Sequence, residues 1–240
     1  MDWVVSRPIA HRGFHNGFSI PENSIKAFEA AIEKNYPIEL DIHLLADGEL
    51  AVFHDKNLKR MTGISGLISE QTSLTIKKLK LLETDQCIPL IDEVFQLING
   101  KVPILIEIKN DGAVGELEQN LLNKLSSYSG EYAIQSFNPF VMSWFKKNAP
   151  HIIRGQLSTD FKYENLEFYK NFLLRYLLMN WASSPHFVGY DIRCLPSYFP
   201  VTVMRKVFGV PFVAWTIRTE EEKIKALKYA DNIIFENIHP

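Results

Sequence analysis

Two kinds of pattern alternate along the whole chain. Short apolar runs read as strands over Trp3–Ala10, Tyr36–His43, Val102–Lys109, Tyr132–Ser136, Ile152–Gln156, Phe187–Asp191, Pro211–Ile217 and Asn232–Phe235. Between them, apolar positions recur at helical spacing in Ser24–Asn35, Leu90–Ile98, Ala113–Ser127, Pro139–Asn148, Glu164–Asn180, Pro200–Phe208 and Glu220–Tyr229. Pro21 stands just ahead of the first helix, and Asn23 or Ser24 is placed to cap it. Eight strands linked through helices predict an α/β chain, a (β/α)8 TIM barrel, forming one domain over residues 1–240.

Two places depart from this rhythm. The link from Gly48 to Lys101 is far longer than one helix needs. It holds the return strand of a hairpin, a Gly- and Ser-containing loop over Thr62–Ser73, and a short helical stretch at Leu74–Leu82. This predicts a small insertion on the catalytic rim after the second strand, at about residues 46–88. The last strand ends near Phe235, which leaves no room for an eighth helix before Pro240, so another segment is expected to cover that part of the barrel. The segment Glu164–Trp181 is apolar nearly all round; packing along the barrel is the first expectation, a homodimer contact or a touch on a membrane surface the second.

The chemistry concentrates in Ile38–Asp55. On a strand, side chains alternate, so Glu39, Asp41 and His43 share one face and Ile38, Leu40 and Ile42 the other. Two carboxylates on so apolar a strand require a cation, a proton or several donors. The chain turns at Ala46-Asp47-Gly48-Glu49 and returns to present His54-Asp55. At the ends of other strands stand His11 and Arg12, Glu107 and Lys109, Gln135, and Trp215. Barrel strands gather such residues at one rim. Glu39, Asp41 and Glu107 then offer an all-oxygen donor set, which favours a hard cation, Mg²⁺ or Ca²⁺. That cation with Arg12 and Lys109 suits a phosphate ester, with one histidine taking a proton from the nucleophile and the other giving one to the leaving alkoxide.

Composition narrows the picture by exclusion. At 46% apolar and 22% charged the chain is an ordinary globular sequence, and a net charge of −2 gives no reason to expect a nucleic-acid partner. Cys87 and Cys194 sit in no metal or disulfide pattern, which suggests a reducing compartment. No basic-then-apolar leader fits the N-terminus, and the longest greasy run is too short to span a bilayer, so a cytoplasmic location without stable membrane insertion is expected.

Read in order, Ala10-His11-Arg12-Gly13, Pro21-Glu22-Asn23-Ser24, Glu39-Leu40-Asp41, Asp47-Gly48, His54-Asp55, Met61-Thr62-Gly63, Ile88-Pro89-Leu90, Glu107-Ile108-Lys109, Gln135-Ser136-Phe137 and Trp215-Thr216 resemble the glycerophosphodiester phosphodiesterase family. The resemblance implies metal-dependent hydrolysis of glycerophosphodiesters to glycerol 3-phosphate and an alcohol. It implies His11 and His54 as the acid–base pair, Glu39, Asp41 and Glu107 as metal ligands, Arg12 and Lys109 at the phosphate, and Trp215 against the glycerol. Two positions depart from the family: Arg218 stands where Asn is frequent, and Phe235-Glu236 where Thr-Asp is common. Both lie on the rim, so an unusual group beyond the phosphate is expected. Alternatives are a phospholipase of the phosphoinositide or sphingomyelinase type on the same fold, and a catalytically silent barrel that binds a phosphodiester.

Overall fold

The fold was obtained as a computed structural model and is described for residues 1–110, 112–160, 172, 174, 176–196 and 199–240. It is a (β/α)8 barrel, as the alternation of patterns predicts. The chain divides into two compact units, Ile9–Tyr132 and Met1–Pro8 with Ala133–Pro240, and each is taken by itself.

The first unit contains β1 (Ile9–Ala10), β2 (Ile38–Leu44), β3 (Leu50–Val52) and β4 (Ile104–Ile108). β2 is parallel to β1 and β4 and antiparallel to β3, the return strand of the expected hairpin. Every residue of β2 from Ile38 to His43 is buried, as for a parallel strand covered on both faces. The helix Ile25–Glu33 turns Ala27, Phe28 and Ala31 inward, and Ile91–Ile98 buries Ile91, Val94, Phe95 and Ile98. The long link between β2 and β4 carries two one-turn helices, Lys59–Thr62 and Ser73–Ile76. Leu45, Phe53, Met61, Ile68, Ile76, Leu79 and Ile88 pack there into a small core of their own. That apolar cluster ties down a segment whose regular secondary structure is limited to single turns.

The second unit holds β5 (Tyr132–Ser136) from Ala133 onward, β6 (Arg154–Ser158), β7 (Phe187–Asp191), β8 (Phe212–Ile217) and β9 (Asn232–Phe235). β6 to β9 are each parallel to the strand before. The helices Pro139–Asn148, Phe199–Phe208 and Glu220–Tyr229 lie in the intervals, the last capped by Thr219.

The run Trp3–Ala10 is where the sequence reading needs correction. Asp2–Ser6 is helical, and only Ile9–Ala10 is strand. A short apolar run is compatible with either element; here the Arg7 N–H donates to Trp3 O at 3.1 Å, which closes a helical turn that buries Trp3 and Val4. Asn232 at the start of β9 donates to Val4 O at 2.8 Å and Arg7 O at 2.6 Å. This small helix therefore covers the beginning of the last strand, where a cover was expected. The apolar segment Glu164–Trp181 lies largely outside the described residues; within it Phe172, Leu178 and Trp181 are exposed.

Candidate functional site

The first unit assembles the acidic and basic groups. β1 ends at Ala10 and the chain turns at once, with Arg12 at φ 52° and Gly13 at φ 81°. Gly13 lies so close to the Ile25–Glu33 helix that a Cβ would sit 2.9 Å from the Ala27 carbonyl carbon and oxygen, so glycine is required there. The turn aims the Arg12 backbone N–H at Glu39 Oε2, 2.9 Å away. Its guanidinium reaches Glu22 Oε1 at 2.8 Å through Nη1 and approaches Asp41 Oδ2 to 3.3 Å through Nε.

β2 and β4 bring the carboxylates together. Their register sets Asp41 beside Glu107. One oxygen from each of Glu39, Asp41 and Glu107 lies within 4.8 Å of the other two, all three side chains being buried. Lys109, two residues beyond Glu107, places Nζ 2.5 Å from Glu107 Oε1 and 3.0 Å from Asp41 Oδ1. Asn23 Nδ2 donates to Asp41 Oδ2 at 2.9 Å. Both candidate caps of the first helix are thereby placed: Ser24 caps it, accepting from Ala27 N, and this leaves Asn23 to hold Asp41.

The hairpin delivers His54. The Phe53 N–H donates to the Asp41 carbonyl at 3.0 Å, which fixes the end of the hairpin against β2. His43 Nε2 meets His54 O at 3.0 Å, so His43 is a positioned structural histidine on the acidic face. His54 Nδ1 contacts Asp55 Oδ1 at 2.7 Å. His11 follows β1 directly, and both His11 and His54 lie near enough to Asp41 to favour its charged form.

The electrostatics follow from burial against pairing. Burial pushes Asp41 upward, but Lys109 and Arg12 overcome it and hold the carboxyl well below the usual carboxylate range. Glu39 goes the other way: burial and then the charges of Asp41 and Glu107 raise it well above its ordinary value, despite Arg12. Burial also raises Glu107 against the pull of Lys109. Burial lowers the two cations, yet the carboxylates win and raise both Lys109 and Arg12. Three carboxylates thus share two cations, and Glu39, the one most crowded by the others, is the hardest to ionise until further positive charge arrives. A buried, oxygen-only donor set with excess charge fits a hard divalent cation.

Trp215, Gln135, Arg218 and Glu236 belong to the second unit. Trp215 is paired with Asp191 in the β7–β8 register and meets Phe137 edge-on, the ring centroids 5.6 Å apart. Gln135 is buried in β5. The two residues that depart from the family pattern, Arg218 and Glu236, pair with each other at 3.0 Å.

Two contributors escape a reading of the sequence. Asn23 is hidden by looking like a helix cap. Arg60 lies in the irregular link, yet its guanidinium grips both Glu22 and Asp55. Only the family-like stretches His54-Asp55 and Met61-Thr62-Gly63 mark its neighbourhood, and neither tells what Arg60 touches.

A model of the glycerophosphoryl diester phosphodiesterase family matches residues 11–237. A glycerophosphodiester phosphodiesterase of Caldanaerobacter subterraneus subsp. tengcongensis is 32% identical over 235 residues, 92% of this chain and 89% of that protein. Another from Bacillus altitudinis is 31% identical over 65% of this chain and 68% of its own length. Among solved structures, an Oleispira antarctica phosphodiesterase in complex with the product sn-glycerol-3-phosphate shares the fold, with TM-score 0.79, 22% identity and 95% and 92% of the two chains covered. A glycerophosphodiester phosphodiesterase from Thermotoga maritima gives TM-score 0.74 at 26% identity, covering 96% and 94%. With a family match running almost end to end and a relative of this identity spanning most of both proteins, the chain belongs to the glycerophosphoryl diester phosphodiesterase family, a family of phosphoric diester hydrolases.

Proposed function

We propose that this chain hydrolyses glycerophosphodiesters to glycerol 3-phosphate and an alcohol, that it does so with one divalent cation, Mg²⁺ or Ca²⁺, and that residues 1–240 are one catalytic domain with a substrate-covering insertion at about 46–88. The observation that carries the reading is the convergence of Glu39, Asp41 and Glu107 within 4.8 Å, with Arg12 and Lys109 attached to them. Glu39, Asp41 and Glu107 hold the cation. Bound there, it supplies Lewis-acid neutralisation of the phosphate's non-bridging oxygens. Arg12 and Lys109 bind and orient the phosphate, and their charge is kept by the carboxylates they already touch. His54, with Nδ1 engaged by Asp55, has Nε2 left to move a proton. His11 is the other proton-transfer group. One imidazole removes the proton from the attacking oxygen and the other protonates the departing alkoxide, in whichever order the substrate's orientation sets. Trp215 walls the glycerol.

The cytoplasmic assignment rests on Cys87 and Cys194, both free. A homodimer through the apolar segment is suggested by the exposure of Phe172, Leu178 and Trp181; a single monomeric species in size exclusion with light scattering removes it.

The test is hydrolysis of glycerophosphocholine, glycerophosphoethanolamine and intact phospholipids, with and without chelator. Turnover of the glycerol diesters that falls with chelator and returns with Mg²⁺ or Ca²⁺ is expected. His11→Ala and His54→Ala should each cost about 10²–10⁴ in kcat. Preference for intact lipids overturns the substrate class, indifference to chelator overturns the metal, and a nearly unchanged kcat in either variant overturns the acid–base pair.

A further inference from the structure

Arg60 sits on the one-turn helix Lys59–Thr62, in the irregular link rather than on a barrel strand. The helix is pinned on both sides. Asn57 Oδ1 accepts from Lys59 N at 2.9 Å ahead of Arg60, and the next side chain, Met61, is buried in the insertion's core. The Arg60 head group is half exposed, yet all three of its nitrogens are engaged.

One edge of the guanidinium grips Asp55, with Nε to Oδ2 at 2.6 Å and Nη2 to Oδ1 at 3.0 Å. The other grips Glu22, with Nη2 to Oε1 at 2.6 Å and Nη1 to Oε2 at 3.0 Å. Each carboxylate is also bound to a group at the site. Asp55 Oδ1 meets His54 Nδ1 at 2.7 Å, and Glu22 Oε1 meets Arg12 Nη1 at 2.8 Å. The series His54, Asp55, Arg60, Glu22, Arg12 and Asp41 is therefore continuous. Arg60 is its centre and the only member carried by the insertion's short helix.

We infer that Arg60 is a positioning residue for the hydrolysis, a clamp that sets the imidazole of His54 and the guanidinium of Arg12 in one fixed relation through Asp55 and Glu22. The inference rests on the proposed roles of His54 and Arg12. Two effects follow from the geometry. Asp55, held by two parallel bonds, accepts from His54 Nδ1 in one orientation, which selects the tautomer with Nε2 free. Glu22, held in the same way, leaves Arg12 little freedom to swing from the phosphate position. A planar two-edged fork is required, since a lysine ammonium cannot bind two carboxylates bidentately. An ordinary surface ion pair would stabilise the fold slightly and leave catalysis alone. The titratable groups around His54 are Asp55, Asp41, Glu107 and His43.

The experiment compares full-length wild type, Arg60→Lys and Arg60→Met in chelator-controlled glycerophosphocholine hydrolysis, with imidazole ¹⁵N–¹H NMR of the same samples. We expect kcat/KM to fall about 10–100-fold in both variants, chiefly through kcat, with a melting midpoint within about 2–4 °C of wild type. The pH profile of kcat/KM should differ from wild type in Arg60→Met. Adding Asp55→Asn to Arg60→Met should cost much less than the product of the two single effects. In the spectra the His54 ring should lose its single Nδ1-protonated form. Arg60→Lys retaining wild-type kcat/KM and pH profile, or a His54 ring unaltered in Arg60→Met, overturns the clamp. Inactive wild type would instead overturn the proposed reaction, and the NMR comparison then still decides whether Arg60 sets the His54 tautomer.

Discussion

Lys109→Met tests the electrostatic account of the acidic cluster most directly. The ammonium lies 3.0 Å from Asp41 Oδ1 and 2.5 Å from Glu107 Oε1. At an effective dielectric of about 20, a unit pair at such a separation is worth roughly 5 kcal/mol before the cost of burying the ammonium is subtracted. Deleting one member of a buried pair costs about 3–5 kcal/mol, because the other charge stays behind. Arg12 and Asn23 still serve Asp41, so the lower end, about 3 kcal/mol, is expected for the metal-free protein. For a chain of 240 residues that is a fall of roughly 6–12 °C in the thermal midpoint measured in chelator. A divalent cation bound by the same carboxylates should restore most of the loss, so the midpoint gain on adding Mg²⁺ or Ca²⁺ should be larger in the variant than in wild type.

The pH dependence carries the sign. In wild type the folded Asp41 is held below its unfolded value, so its contribution is present above about pH 4 and is lost as pH falls. Without Lys109 that depression shrinks, and Glu107, already raised by burial, rises further. Groups raised in the folded state stabilise it at low pH and lose that contribution as pH rises. Metal-free Lys109→Met should therefore recover stability relative to wild type between pH 8 and pH 5, read by calorimetry in chelator at each pH. If the variant matches wild type within about 0.5 kcal/mol at pH 8, a size typical of neutral surface changes, the three carboxylates are not relying on Lys109 and the account fails.

Cation binding should release protons, since burial raises Glu39 and Glu107 and a ligand must be deprotonated; calorimetric titration of Mg²⁺ or Ca²⁺ should show an apparent enthalpy that varies with buffer ionisation, and an affinity that rises from pH 6 to pH 8. Gly13→Ala should destabilise by about 1–3 kcal/mol, because alanine is strained at φ 81° and its Cβ would press on the Ala27 backbone; chemical denaturation midpoints check this. Arg218→Asn removes an exposed pair with Glu236, so its stability cost should stay below about 1 kcal/mol by the same measurement.

The parts of the site readable in the sequence are those fixed by a strand's period. Glu39 and Asp41 share a face because alternation allows nothing else, and Glu107 on β4 with Lys109 just past its end repeats the argument. Register then brings Asp41 beside Glu107, and no turn or loop intervenes. Asn23 was hidden because two adjacent residues could each cap one helix, and only the close packing of the Arg12–Gly13 turn on that helix leaves Asn23 facing Asp41. Arg60 was hidden for a stronger reason. Its partner Glu22 is 38 residues earlier, and the path between them includes a hairpin and an irregular segment fixed only by its apolar cluster. Strand periodicity therefore locates the three carboxylates proposed for the metal, and the ends of β1 and β4 locate Arg12 and Lys109. The residues that hold those groups still come from segments without a period, where tertiary packing alone decides which charges meet. His43 marks the boundary between the two cases: its position on the acidic face follows from alternation, but its role in gripping the His54 backbone follows only from where the hairpin ends.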